Sequence, residues 1–248
     1  MIWGTYIMNY GIQLYSVRDV AKDDLYAALK CVADIGYKFV EFAGFFGHKA
    51  EVVRAWLDEL GLEVCSTHTS PEELTPDRIA ETIQYHKTIG NKNIIMPGIW
   101  YKTEKELNYS VELINFAKDA LEKEGITLGY HNHYKEFYTM DYGKVVHKEF
   151  ETRTDVDFEI DTFWAFYAGE DPIALLERLK DRIKVIHLKD GLEDRKGKAL
   201  GEGYAPVEKV LEKAIELGFT IVVESEGLDP TGPEEVERCY KYLMSLNK

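Results

Sequence analysis

Two periods of apolar and polar positions alternate along the chain. Short runs rich in β-branched and aromatic residues occur at Tyr10–Tyr15, Lys38–Phe42, Glu63–His68, Asn93–Met96, Ile126–His131, Val156–Asp161, Ile183–Leu188 and Phe219–Glu224. Between them the period lengthens to that of a helix. Asp24–Ile35 places Leu25, Ala28, Leu29 and Val32 on one face, with Gly36 positioned to end the helix. Further helices are predicted over Val52–Leu60, Thr75–Ile89, Thr103–Glu124, Asp171–Asp181, Pro206–Leu217 and Pro233–Leu246, four of them in this list followed directly by glycine. The fifth unit is the weakest, because Gly143–Glu151 is short and polar. Strands recurring at roughly 30-residue intervals with helices between them predict a (β/α)8 barrel, an α/β fold, as a single domain over residues 1–248. No GxGxxG or GxxxxGK[ST] follows any strand, so the mechanical basis for a nucleotide-binding sheet is missing.

Composition narrows the partners. The 248 residues are 45% apolar and 30% charged, ordinary for a chain that buries its own core. With 30 basic against 44 acidic side chains the formal charge is −14, which argues against a nucleic-acid surface. No apolar run approaches the ~20 residues of a membrane-spanning helix. Cys31, Cys65 and Cys239 form no CxxC or zinc-finger spacing and read as reduced thiols. The opening MIWGTYIM lacks a basic n-region and a full h-region, so a cytoplasmic location is expected.

Candidate chemistry gathers at the C-terminal ends of the predicted strands, the active-site face of such barrels. Those ends present Gln13, Glu41, His68, His131, His133, Asp161, His187, Lys189, Glu224 and Glu226. Residues i and i+2 on a strand share a face, so His131 with His133, and His187 with Lys189, can each serve one pocket. A strand-end carboxylate taken alone is as compatible with a helix cap, and a single histidine with a structural hydrogen bond. Four consecutive strands delivering carboxylates and imidazoles to one end are not. Such a donor set suits Mn²⁺ above all, with Mg²⁺, Co²⁺ or Zn²⁺ also accommodated. Charge clusters at Glu104–Glu106 and Glu234–Glu237 are expected to be solvated helix faces. The basic run Arg195, Lys196 and Lys198 follows strand seven, where barrels often hold phosphate, but reads as a solvated loop. Trp3, Trp100, Tyr101, Trp164 and Phe166 are candidates for a sugar-binding floor or for packing.

The segments GIQLYSVRD (Gly11–Asp19), YHNHYKEF (Tyr130–Phe137), IDTFWA…AGEDP (Ile160–Pro172), VIHLKD (Val185–Asp190), ALGEG (Ala199–Gly203) and VVESEG (Val222–Gly227) resemble the sugar phosphate isomerase/epimerase group of xylose isomerase-like TIM barrels. The HNHxxEF pattern places the likeness near the branch of inosose dehydratases and 3-keto-glycoside lyases. The resemblance implies four metal ligands, one from each of strands five to eight. Asp161, His187 and Glu224 match three of them. Epimerases present a glutamate at the end of strand five; here HNH stands there, and the resemblance implies Glu136 as the substituted ligand, with His131 the alternative. It also implies His133 as a proton-transfer residue and Glu224 as a second acid/base group.

The chemistry shared by this group is abstraction of a proton next to a carbonyl, through an enediolate stabilised by the ion. His133 has a suitable pKa without perturbation. Lys189 is expected to hold a substrate oxygen, and Gln13, Glu41, His68, His131 and Trp164 to contact substrate. The expected activity is a divalent-metal-dependent sugar isomerase or epimerase. The alternative is a lyase or dehydratase acting on a keto-sugar or inosose, and HNH leans toward elimination. A non-catalytic sugar-binding barrel is the more remote reading. The expected partner is a small sugar or keto-sugar, with neither nucleic acid nor membrane, and a homo-oligomer is compatible with the sequence.

Overall fold

A computed structural model describes residues 10–246 of the chain. Eight parallel strands close into a barrel: β1 (Gly11–Gln13), β2 (Phe39–Phe42), β3 (Glu63–His68), β4 (Asn93–Met96), β5 (Thr127–His131), β6 (Asp157–Asp161), β7 (Ile183–Leu188) and, after a two-stranded ribbon of β8 (Asp190–Gly191) and β9 (Gly197–Lys198), β10 (Thr220–Val223). β10 pairs with both β7 and β1 and so completes the ring. Each predicted run contains one of these strands. Among the described residues no helix is long and apolar enough to cross a membrane.

Helices follow the strands where the apolar period predicts them, and local chemistry sets their ends. Asp24 accepts from Ala27 N at 2.9 Å and caps Leu25–Ile35, after which Gly36 takes φ 123°. Thr103 and Glu106 form a reciprocal capping box at the start of Glu104–Glu122. Two segments differ from expectation. The helix predicted from Thr75 begins at Ile79, because Pro71–Leu74 forms its own 3-10 turn and the Thr75 hydroxyl bonds back to Glu72 O at 2.9 Å. The weak fifth helix is displaced to Val146–Arg153. An additional helix, Thr162–Tyr167, starts directly from the end of β6.

Most of the core lies between the barrel and its helices, where Val32, Leu57, Ile114, Leu176 and Leu211 are buried. Inside the barrel, at the N-terminal end of the strands, Cys65, Val185 and Val222 form a small apolar plug with Phe39 against it. Gly11 fits closely there, since a Cβ would lie 3.0 Å from Val222 Cγ2 and push on it. Two register shifts interrupt the barrel, one between Val40 and Glu41 against β3 and one between Phe158 and Glu159 against β7.

Candidate active site

Above the apolar plug the interior changes character. His131 at the end of β5, Asp161 at the end of β6, His187 on β7 and Glu224 just past β10 are all buried, and one donor atom from each lies within 4.8 Å of the others. Local structure aims them. Asp161 caps helix Thr162–Tyr167 by accepting from Trp164 N at 2.8 Å through Oδ1, which leaves Oδ2 turned inward. The Asn132 side chain clamps the same residue, donating to Asp161 O at 3.2 Å and accepting from Asp161 N at 3.1 Å. His187 Nδ1 lies 3.3 Å from Glu224 Oε2.

The opposite edge of His187 is held from below. Its Nε2 lies 2.7 Å from Glu41 Oε1 and 3.3 Å from Glu159 Oε2, while His68 Nε2 lies 2.8 Å from Glu159 and 3.2 Å from Glu41. Gln13 and Ser66 both donate to the Glu41 carboxylate. Burial disfavours charge on Glu41, but His68 and His187 outweigh it and lower its pKa. Burial and then the Glu41 charge drive the Glu159 pKa the other way, well above the carboxylate range. For His187 burial opposes protonation, yet Glu159, Glu41 and Glu224 raise its pKa well above normal, so an ion bound at Nδ1 would have to displace a proton there. With Nε2–H donated to Glu41, Nδ1 is the atom free for the cluster.

These donors fit a divalent ion. Both ring nitrogens of His131 and Asp161 Oδ2 are buried without a hydrogen-bond partner among the described residues, which is costly for polar atoms unless something binds them. Burial, with His187, His133 and His68 nearby, lowers the His131 pKa far below normal and keeps the imidazole neutral, as a metal ligand must be. Lys189 supplies a fixed positive charge beside the cluster. Its ammonium lies 3.4 Å from Asp161, 2.9 Å from Glu224 and 2.6 Å from Glu226. Burial works against that charge, but the three carboxylates outweigh it and raise the pKa.

A cavity of about 440 Å³ opens over the cluster, lined in part by Tyr15, His68, Glu73, His133, Glu224 and Glu226. The His133 side chain is 45% exposed at this mouth. Burial of its ring disfavours the cation, but the Glu136 carboxylate, 3.8 Å from Nδ1, prevails and raises the pKa. The Trp164 ring stands 4.8 Å from the Lys189 ammonium and 6.5 Å from the His133 ring.

Several expected roles are redistributed. Glu136 does not join the four converging donors, because it accepts from the Tyr130 hydroxyl at 3.0 Å and from His133 N at 3.2 Å. His131 stands where a strand-five ligand would. Gln13 and Glu41, expected against substrate, are fully buried beneath the cluster and engaged with each other. His68 reaches the cavity with one edge only. Arg195 donates to the Tyr134 hydroxyl at 2.7 Å, while Lys196 and Lys198 pair with Asp194 and Asp229, so the basic run forms no shared anion site. Trp100 faces Tyr109 at 5.8 Å, and Phe166 faces Tyr204 at 5.3 Å. Tyr101 accepts through its carbonyl from the Tyr142 hydroxyl. Trp3 and the N-terminal MIWGTYIM lie outside the described residues. Glu159 was missed by sequence reasoning, although its place two residues before Asp161 puts both on one face.

A family model described as a xylose isomerase-like TIM barrel matches residues 29–243. The chain belongs to that family. Within the family's reach, an inosose dehydratase from Clostridium beijerinckii (strain ATCC 51743 / NCIMB 8052) is 24% identical over 93% of this chain and 90% of its own. The crystal structure of a sugar phosphate isomerase/epimerase from Parabacteroides distasonis ATCC 8503 superposes with a TM-score of 0.83, at 26% identity over 97% of this chain and 99% of that one. The IolI protein, crystallised with a binding zinc atom, shares the barrel with a TM-score of 0.73 at 16% identity, over 97% and 98% of the two chains. The inosose dehydratase and the sugar phosphate isomerase/epimerase that the chain resembles are enzymes, and the barrel is an enzyme of the same kind of fold.

Proposed function

We propose that this protein is a metal-dependent carbon–oxygen lyase acting on a keto-sugar or a cyclic polyol ketone. The observation that carries the reading is the division of labour at strand five. His131 is a buried neutral imidazole among the ligands, and His133, two residues on, is a half-exposed imidazole facing the cavity. Epimerisation between paired carboxylates of strands five and eight lacks its strand-five carboxylate here. Elimination needs one base at the carbon beside the carbonyl, and the dehydratase relatives support that outcome.

His131, Asp161, His187 and Glu224 would hold the ion, a set of two imidazoles and two carboxylates that favours Mn²⁺, Co²⁺ or Zn²⁺ over Mg²⁺. Bound there, it supplies positive charge for the carbonyl oxygen as the neighbouring proton departs. His133 takes that proton, held in place by Glu136. The C–H electron pair becomes the carbon–carbon double bond, and the C–O pair leaves with the oxygen, which takes a proton back. Lys189 remains charged, so it orients an oxygen rather than attacking a carbonyl as a free amine. The Trp164 ring lies 4.8 Å from that ammonium and helps to fix it.

A second reading, isomerase or epimerase, is favoured by one observation: Glu226 lines the same cavity and offers a second acid/base group. Proton NMR in D₂O separates the two, using metal-loaded protein with ketohexoses, inososes and 3-keto-glucosides. Release of water or an alcohol with an unsaturated ketone is the expected result. Deuterium entering an intact sugar with formation of a new stereoisomer would instead establish the second reading.

A further inference from the structure

Among the described residues Tyr15 is the only Phe, Tyr or Trp on the wall of the reaction cavity, and it is 43% exposed. The rings expected to floor a sugar site, Trp100, Tyr101, Trp164 and Phe166, do not line it. Glu226 stands on the same wall, in the loop after β10, with its carboxylate 2.6 Å from the Lys189 ammonium.

Tyr15 and Glu226 come from opposite ends of the chain and are tied to each other. The Arg18 guanidinium donates to Tyr15 O at 2.9 Å through Nη1 and to Glu226 O at 3.0 Å through Nη2. It also lies over the Tyr15 ring, 4.3 Å from the centroid. Beside it, Ser225 N donates to the Ser16 hydroxyl at 2.9 Å. Tyr15 N donates to Gln13 Oε1 at 2.9 Å, which joins this turn to the polar layer beneath the cluster. Arg18 is not part of the cavity wall, so it backs the ring from outside. A ring held in place before binding loses little freedom when a ligand arrives. Sugars and cyclic polyols carry C–H groups on the faces of the ring and hydroxyls on its rim. An aromatic face next to a carboxylate meets both.

We propose that Tyr15 and Glu226 clamp the substrate's ring, Tyr15 against its C–H face and Glu226 accepting from a rim hydroxyl. Arg18 is the positioning residue that sets the two. The inference rests on the proposed keto-sugar or cyclic polyol ketone as substrate, and is independent of which bond breaks.

Ligand-observed NMR on the Zn²⁺-loaded protein tests it with three unreactive probes: 1,5-anhydroglucitol, myo-inositol and the acyclic glucitol. At least one ring probe should bind about threefold or more tighter than glucitol, the worth of one aromatic contact. Its ring C–H signals should move upfield on binding, the mark of a proton held over an aromatic face. Tyr15→Phe should keep the preference and the shift, Tyr15→Leu should remove both, and Arg18→Lys should weaken both. Equal binding, or none, of ring and acyclic probes to the wild-type protein overturns the clamp, whether or not a variant folds. So does an upfield shift that survives Tyr15→Leu. Loss of water or alcohol from a panel of keto-sugars and inososes reports the elimination reading separately. Elimination without ring preference sinks the clamp alone, whereas ring preference without elimination sinks the chemistry alone.

Discussion

At the bottom of the barrel Phe39, Val185 and Val222 close the interior with apolar side chains; two residues further along the same strands, Glu41, His187 and Glu224 fill it with titratable groups. One pleat separates the two layers. The lower gains from burial of apolar surface and asks nothing of geometry beyond fit. In the upper layer desolvation is a penalty, offset only where each group meets an opposite charge or a hydrogen bond. Glu41 meets four partners, while His131 finds no hydrogen-bond partner among the described residues and Asp161 Oδ2 faces the Lys189 ammonium at 3.4 Å without a hydrogen bond. Within the charged layer, then, Glu41 is satisfied by the chain's own groups, Glu159 Oε1 is not, and the upper part is the more open, with the unpartnered atoms of His131 and Asp161.

Substitutions should separate these parts, and the largest effect belongs to the open part. Asp161→Asn is expected to weaken binding of Mn²⁺ or Zn²⁺ by more than ~100-fold, beyond what loss of an outer hydrogen bond does, as measured by isothermal titration calorimetry. Full retention of affinity would remove Asp161 from the ligand set. Glu41→Gln should cost ~10–100-fold in the same titration, because the acceptor that orients His187 loses its charge. The Co²⁺-loaded variant should also show a shifted visible spectrum, which a purely structural change would leave alone.

A histidine outside the barrel sharpens the contrast. His86 is buried, accepts at Nδ1 from the Asn91 amide at 3.0 Å, and has its pKa pushed by burial down to about 4. It is neutral in the folded protein, whereas in the unfolded chain it binds a proton below about 6.5. Its contribution to stability is therefore complete above pH 6.5 and is lost as the pH falls from 6.5 to 4, amounting to about 3 kcal/mol. Denaturant melts across that range should be steeper in pH for the wild type than for His86→Gln. The smallest effect is expected in the apolar plug. Val222→Ala should lower stability by roughly 1–2 kcal/mol while metal affinity stays unchanged; a fall in affinity would mean that the two layers are coupled.

Much of this layout was legible before any coordinates. The strand and helix periods located all eight barrel strands, because apolar alternation and glycine stops are local properties of the chain. His187, Asp161 and Glu224 were legible for the same reason, being polar residues at the ends of apolar runs. The roles of Gln13 and Glu41 were not. Gln13 stands level with Glu41 across β1 and β2, and the neighbouring strands shift register beside Glu41 and Glu159, at Val40/Glu41 and Phe158/Glu159. Bulges of this kind re-aim side chains through pairing with a distant strand, which no local pattern records. The Glu136 assignment moved for a related reason. Its 3-10 turn, Lys135–Phe137, leads the carboxylate back toward Tyr130 rather than across to His187.

Asn132 joins the ends of β5 and β6 with its side chain, taking both the N–H and the carbonyl of Asp161. The seam between these strands is therefore sewn beyond the last backbone pair, His131 with Glu159, by the Asn132 side chain, while the His131 ring takes no part in that clamp. Position 131 is in effect an interchangeable fitting. A glutamate there would add a negative charge to the cluster of Asp161, His187 and Glu224 and leave the Asn132 clamp in place.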